Sequence, residues 1–429
     1  MQPITYLAPA LLLSSVTLAN ATSVELTDKL TANDKAESVA DRFGYSVAIS
    51  GSTAIVGAYG DDNPGNSSGS AYLFDTTTGA QTRKLVANDR AGGDYFGYSV
   101  GISGSTAIVG AWGDDGRRGS AYLFDTTGAQ IQKLTASDRA ISDYFGYSVA
   151  ISGSTAIVGA YRADDNGYDF GSAYLFDTAT GAQTQKLTAS DGAAYDYFGY
   201  SVAISGNLAI VGAYRDDGYT GSAYLFNTTT GDQIAKLTAA DGAESDYFGW
   251  SVGISGSTAI VGALYDDDNG GSSGAAYLFD LSDLDPSVVS LTETAKLLAS
   301  DGAALDRFGI SVALSGSTAI VGAWADDTNG IGSRDNGAAY FYDIADLQNP
   351  VETKLIAYDG AANDAFGYSV GISGSTAIVG AFQDDDPSNS GSAYLYTPTP
   401  VPLPASLWLL GAAVGGAAGL RRVAQRRRT

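Results

Sequence analysis

The chain has 429 residues, 47 Asp and Glu against 23 Lys and Arg, a formal charge of −24, and neither cysteine nor histidine. Those absences exclude Ser-His-Asp and Cys-His nucleophiles, thiolate or imidazole zinc sites, disulfides and a near-neutral imidazole switch, and the acidity excludes a phosphate-neutralising nucleic-acid surface. With 55 glycines and 16% charged residues, the composition is that of a glycine-punctuated all-β protein, neither a disordered acidic chain nor a helical one.

Residues 1–21 read as a secretory signal: an apolar stretch from Leu7 to Leu18 is followed by Ala19-Asn20-Ala21, a small-x-small cleavage sequence. The stretch is shorter than the roughly 20 apolar residues a membrane span needs. Cleavage rather than anchoring is therefore expected, although Lys29 is the first basic residue.

Residues 22–396 repeat one unit seven times. Phe-Gly recurs at Phe43, Phe96, Phe145, Phe198, Phe248, Phe308 and Phe366, each followed by Ser-Gly (Ser50 in the first unit), Gly-Ala (Gly57), Ala-Tyr (Ala71) and Lys-Leu (Lys84). In the first unit, Phe43–Ser50 alternates large and small residues and predicts a strand, and Gly51-Ser52 predicts a hairpin turn. Thr53–Ala58 and Ser70–Phe74 are apolar throughout, as buried strands are, while the polar Gln81–Ala87 suits an outer edge. Seven four-stranded antiparallel units of about 50 residues predict a β-propeller. The repeat begins out of phase, with a fourth strand at Val24–Ala32, and ends on a third strand at Ser392–Tyr396. The N-terminal strand is therefore expected to complete the last blade and close the ring.

The succession Phe-Gly, Gly-Ala, Gly-Ser-Ala-Tyr resembles the FG-GAP repeat of integrin α-subunit propellers, most closely a bacterial form of it. The resemblance implies a ligand-binding propeller and raises calcium as a cofactor. The DxDxDG loop that joins the first two strands in calcium-binding blades is absent, its place taken by Gly-Ser or, at Gly206-Asn207, Gly-Asn. The acids lie on other loops. Those between the second and third strands carry Asp61-Asp62, Asp114-Asp115, Asp164-Asp165, Asp216-Asp217, Asp266-Asp267, Asp326-Asp327 and Asp384-Asp385, and those leading from one blade to the next carry spaced pairs such as Asp89 and Asp94. In an antiparallel blade both sets emerge on one face, which would make that face strongly acidic. Asp beside Gly and Asn nucleates turns, a solvated acidic face favours solubility, and converging carboxylates can hold Ca²⁺. The seven doublets are the candidate metal ligands. Tyr168, Tyr219, Trp112 and Trp324 lie near these loops. They could stack on sugars, but Trp112 and Trp324 are expected to pack the blade rims. Longer third-to-fourth connections at Leu281–Glu293 and Ile344–Glu352 read as insertions on the opposite face.

Residues 397–404 form a Pro-rich linker, and residues 405–429 an apolar segment, Ala405–Leu420, followed by Arg421, Arg422, Arg426, Arg427 and Arg428. The arginines favour a cytoplasmic end for such a helix. With Val401-Pro402-Leu403-Pro404 ahead of it, the tail resembles the PEP-CTERM sorting signal of Gram-negative bacteria, although Leu403 stands where Glu is usual. That resemblance implies export, processing by an exosortase-type enzyme, transient or permanent membrane association by the tail, and display on the cell envelope or in the extracellular matrix. The expected function is non-catalytic binding, adhesion or matrix assembly, with a polysaccharide or protein ligand on the acidic face. The alternative is a secreted carboxylate-dependent carbohydrate-active enzyme.

Overall fold

The computed structural model of the protein describes residues 22–34, 40–62, 66–164, 167–284, 290–327, 336–384 and 390–400. Residues 1–21, where a signal is expected, and residues 401–429, with the rest of the expected linker and sorting tail, lie outside these residues. The compact unit is Leu26–Thr397. Among the described residues it contains seven sheets, each with its first three strands from one repeat, and helix is confined to four-residue turns at Asp114–Arg117 and Asp216–Tyr219.

In the first blade Phe43–Ser50, Thr53–Ala58, Ser70–Asp75 and Gln81–Leu85 pair in that order. The middle strands run in an unbroken antiparallel register from Thr53↔Asp75 to Ala58↔Ser70, and the second blade repeats it from Thr106↔Asp125 to Ala111↔Ser120. In the seventh blade Thr22–Leu30 lies outside Ser392–Pro400, so the predicted closure is present. Leu30 is fully buried, and Thr27 Oγ1 donates to the Leu395 carbonyl at 3.0 Å. The connection after Leu281 is more than an insertion. Its Ser290–Thr292 segment pairs in parallel with Gln233–Thr238, giving the fourth blade a fifth strand.

The core lies between blades. Ile55, Leu73 and Leu85 of the first blade pack with Phe96, Val109 and Tyr122 of the second, and the arrangement recurs around the ring. Blades can approach because glycine meets glycine. A Cβ on Gly57 would lie 2.0 Å from the Gly97 carbonyl oxygen of the next blade, and the glycines of Phe-Gly and Gly-Ala meet in this way at every junction, including Gly380 with Gly44. Gly97 has φ +89°, which also favours glycine. Serines fasten the same seam. Ser46, Ser99, Ser148 and Ser201 accept the backbone N–H of the following inner strand, while Ser251, Ser311 and Ser369 donate to the Gly309, Gly367 and Gly44 carbonyls. On the opposite face, the serine ending each inner strand accepts the N–H of the next blade's hairpin glycine, from Gly104 onto Ser50 round to Gly51 onto Ser373.

A methyl group at one seam tests this packing. Gly110→Ala, whose Cβ would lie 2.0 Å from the Gly146 carbonyl oxygen, is expected to destabilise the protein by about 3 kcal/mol, the upper end of ordinary overpacking costs. Urea denaturation checks it, with Gly271→Ala, at a loop glycine with open space around it and no left-handed backbone, as the comparison.

Candidate functional site

The loops between successive blades share one geometry. Their second aspartate, at Asp41, Asp94, Asp143, Asp196, Asp246, Asp306 and Asp364, is buried throughout. In six of them its carboxylate accepts the N–H three residues earlier, as Asp246 does from Ala243 and Asp306 from Ala303, both at 2.7 Å. These are turn-closing acids. Burial pushes Asp196, Asp306 and Asp364 up to about 6, against the backbone donor and with help from a neighbouring carboxylate. The flanking residues are left-handed: Leu305 and Arg307 have φ 76° and 57°, and Tyr195 and Tyr197 have 73° and 59°. Among the described residues, every non-glycine with positive φ lies on this face. Backbone strain of this kind gathers at functional surfaces.

The candidate doublets divide by position. Asp61, Asp114, Asp216, Asp266, Asp326 and Asp384 are buried, each with a lysine Nζ from the outer strand (Lys84, Lys133, Lys236, Lys296, Lys354 and Lys29) at 2.6–2.9 Å. The same lysines reach back to the preceding interblade loop, as Lys84 does to Asp34 at 2.6 Å and Lys354 to Asp301 at 2.8 Å. The tyrosine of Ala-Tyr adds its hydroxyl, with Tyr72 donating to Asp61 at 2.9 Å and Tyr340 to Asp326 at 2.6 Å. Burial raises the Asp61 and Asp114 carboxyls, but their lysine and hydroxyl partners outweigh it and hold both below the ordinary carboxylate range. The second acids close loops or pair at the rim. Asp62 and Asp267 accept N–H groups of Ser67 and Ser272 at 2.6 Å, Asp115 pairs with Arg139 at 2.8 Å, Asp217 lies 2.8 Å from Lys236, and Asp327 is exposed. Asp165 and Asp385 lie outside the described residues.

The third blade departs from the sevenfold pattern read in the sequence. Ala163 occupies the place of Asp61: its N–H bonds Ala160 and its carbonyl receives Gly171, as Asp61 bonds Ala58 and receives Gly69. Asp164 is thus the counterpart of Asp62, exposed and accepting the Asp169 N–H at 2.7 Å. The inserted residue shifts the doublet by one. Lys186 retains its partner Asp138 at 2.6 Å. Among the described residues no three acids are grouped to hold a metal. The six buried carboxylates each have an ammonium at contact distance, so this donor set does not fit the calcium ion that the resemblance raises.

Inside the circle of acids the face is aromatic. Tyr368, Tyr45, Tyr98, Tyr147 and Tyr200, each following a Phe-Gly, form a chain of hydroxyls with successive separations of 3.1, 2.8, 2.9 and 3.3 Å. Trp250 and Ile310 take the same place in the other two blades. These residues gather at the loop-face end of a central channel of about 380 Å³ lined by the inner strands. The residues following Gly-Ala surround them, with Tyr59 packed 4.5 Å from Tyr45 and Tyr161 4.5 Å from Tyr147. Trp112 and Trp324 belong to this inner annulus rather than to the blade rims. Trp112 stacks on Tyr95 at 4.6 Å, because Gly-Ala ends its strand beside the channel. Four arginines lie over the rings: Arg42 5.4 Å from Phe382, Arg162 5.1 Å from Tyr144, Arg215 4.5 Å from Tyr197 and Arg307 5.0 Å from Trp324. A count of acids overlooks this centre, although Arg-Phe-Gly and Gly-Ala-Tyr-Arg are visible in the sequence.

The buried acids predict a pH dependence. Asp306 binds its proton more tightly folded, at about 6, than at its ordinary 3.8, so its contribution to stability falls as pH rises through that interval. Across it, the unfolding midpoint of the wild type should drop relative to Asp306→Asn. Parallel midpoints for the two proteins would contradict the assignment.

The FG-GAP repeat model matches residues 25–74, 80–124, 129–176, 182–226, 232–279, 291–342 and 351–396. No curated protein matches the chain. Each matched stretch runs from an outer strand through the next blade's third strand, the same phase that the ring closure uses. The chain belongs to the FG-GAP repeat family.

Proposed function

We propose that the protein is an exported, non-catalytic binding protein that holds an extracellular polysaccharide on the aromatic centre of its loop face. The observation that carries this reading is the concentric arrangement of partly exposed Tyr and Trp rings within strained loops on a ring of sheets. Sugars present flat C–H faces to such rings and leave their hydroxyls to a polar surround. Tyr219 is 41% exposed beside this centre, and Tyr168 73% exposed.

The carboxylates support binding over catalysis. Glycoside hydrolysis needs one acid with a raised pKa and one ionised partner at a set separation. Here raised acids recur at Asp196, Asp306 and Asp364, each bound into the same turn. Such repetition is what a scaffold requires. The signal at residues 1–21 and the tail at 405–429 would direct export and exosortase-type processing, leaving the propeller on the envelope or in the matrix. Among the described residues no helix is long and apolar enough to cross a membrane.

Affinity electrophoresis through gels containing acidic and neutral polysaccharides tests the reading. At least one polymer should retard the protein without being cleaved. Tyr219→Ala should weaken that binding by about fivefold, the equivalent of roughly 1 kcal/mol for one aromatic contact. Release of reducing ends, abolished by a single Asp substitution, would establish the enzyme instead.

A further inference from the structure

The arginines at the centre of the loop face differ from the other cations around it. Arg139 and the outer-strand lysines have carboxylate partners. Arg215 has none. Among the described residues no carboxylate lies within salt-bridge distance of it, no acceptor takes its hydrogen bonds, and its buried Nε is unsatisfied. Arg307 is in the same condition. The Nε of Arg162 is also buried and unsatisfied, and its nearest carboxylate oxygen, on Asp169, is 3.8 Å away. Tyrosine faces hold these groups in place. Arg162 and Arg215 lie over a single ring, Tyr197, at 5.9 and 4.5 Å, and Arg215 also lies 5.2 Å from exposed Tyr219.

The rings attract the guanidinium charge but offer no acceptor in line with its N–H groups, and the buried Nε atoms of Arg162 and Arg215 are left without one. Arg215 and Arg307 without a carboxylate, and Arg162 with one only at 3.8 Å, in a molecule of charge −24 where carboxylates are abundant nearby, point to an acceptor supplied from outside. Planar guanidinium recognises carboxylate by paired hydrogen bonds. We propose that Arg162, Tyr197 and Arg215, with Tyr219 beside them, form a subsite for an acidic sugar, a hexuronate residue of a polysaccharide. Its carboxylate meets the guanidiniums while its ring lies against tyrosine. A uronate presents both features from one rigid unit, which suits it to a site where cation and ring are adjacent. This inference rests on the polysaccharide reading above and narrows it to the uronate class.

The test uses the full-length protein with polygalacturonate and with the same polymer methyl-esterified, which keeps the sugar and masks the charge. The free acid should bind at least about tenfold more tightly, the scale of a hydrogen bond to a charged group. Arg215→Gln and Arg162→Gln should each remove most of that preference, lowering affinity for the acid more than affinity for the ester. Arg215→Lys should restore part of it, and Arg139→Gln should not alter it. The comparison of acid with ester in the unaltered protein needs no variant, so a folding defect in one substitution leaves the inference open to refutation. Equal binding of acid and ester would overturn the uronate subsite and leave polysaccharide binding standing, whereas failure to bind any polysaccharide would overturn both. Poly-L-glutamate bound as tightly as polygalacturonate would overturn the sugar assignment in favour of an acidic peptide.

Discussion

The distance between neighbouring blades is set by contact between two backbones. Gly57 meets the Gly97 carbonyl with no room for a methyl group, and the same pair recurs at every junction. Aligned at that distance, the apolar second and third strands of one blade bury against the next, and the seam serines find backbone partners across it. The two glycines of the repeat motif are thus one contact seen from both sides. Stability in such an array comes from neighbour-to-neighbour interfaces, so each glycine carries weight out of proportion to its size.

The electrostatics follow from the same repetition. Lys84 bridges Asp34, on the loop leading into the first blade, and Asp61, on the loop between that blade's second and third strands, and equivalent lysines do so round the ring. Buried ion pairs of this type come close to break-even against apolar packing. Their clearer effect here is geometric, since they fix where one loop stands relative to another. The carboxylates so engaged are neutralised locally, whereas Arg215 and Arg307 at the centre have no carboxylate partner among the described residues. A chain of charge −24 thereby presents a cationic, aromatic centre within an acidic circle.

Much of this is written in the sequence, because seven copies of a four-strand unit leave few architectures open. The strand order, the hairpin at Gly51-Ser52 and the closing role of the N-terminal strand follow from periodicity and phase, while the outer strands end about two residues earlier than expected, at Leu30 and Leu85. Side-chain partnership is harder to read. Nothing local distinguishes Asp61, buried against a lysine some twenty residues on, from Asp62 beside it, and the doublet at Asp164 conceals a one-residue slip that Ala163 exposes only through its backbone hydrogen bonds. The annulus containing Trp112 and Trp324 depends on where seven blades converge, which no single repeat encodes. Ser290–Thr292 is similar: its partner strand belongs to another blade.

The outer strand of the last blade also fixes an order of events. Thr27 and Leu395, which it brings together, are 368 positions apart. Local hairpins and adjacent blades can assemble as the chain emerges, but this contact waits for the final repeat. Until then the first-made segment has no sheet to join and the last blade has an open edge. A chain interrupted before its seventh repeat would therefore be left with an unclosed ring, so the closing strand serves as a check on completeness as well as a fastening.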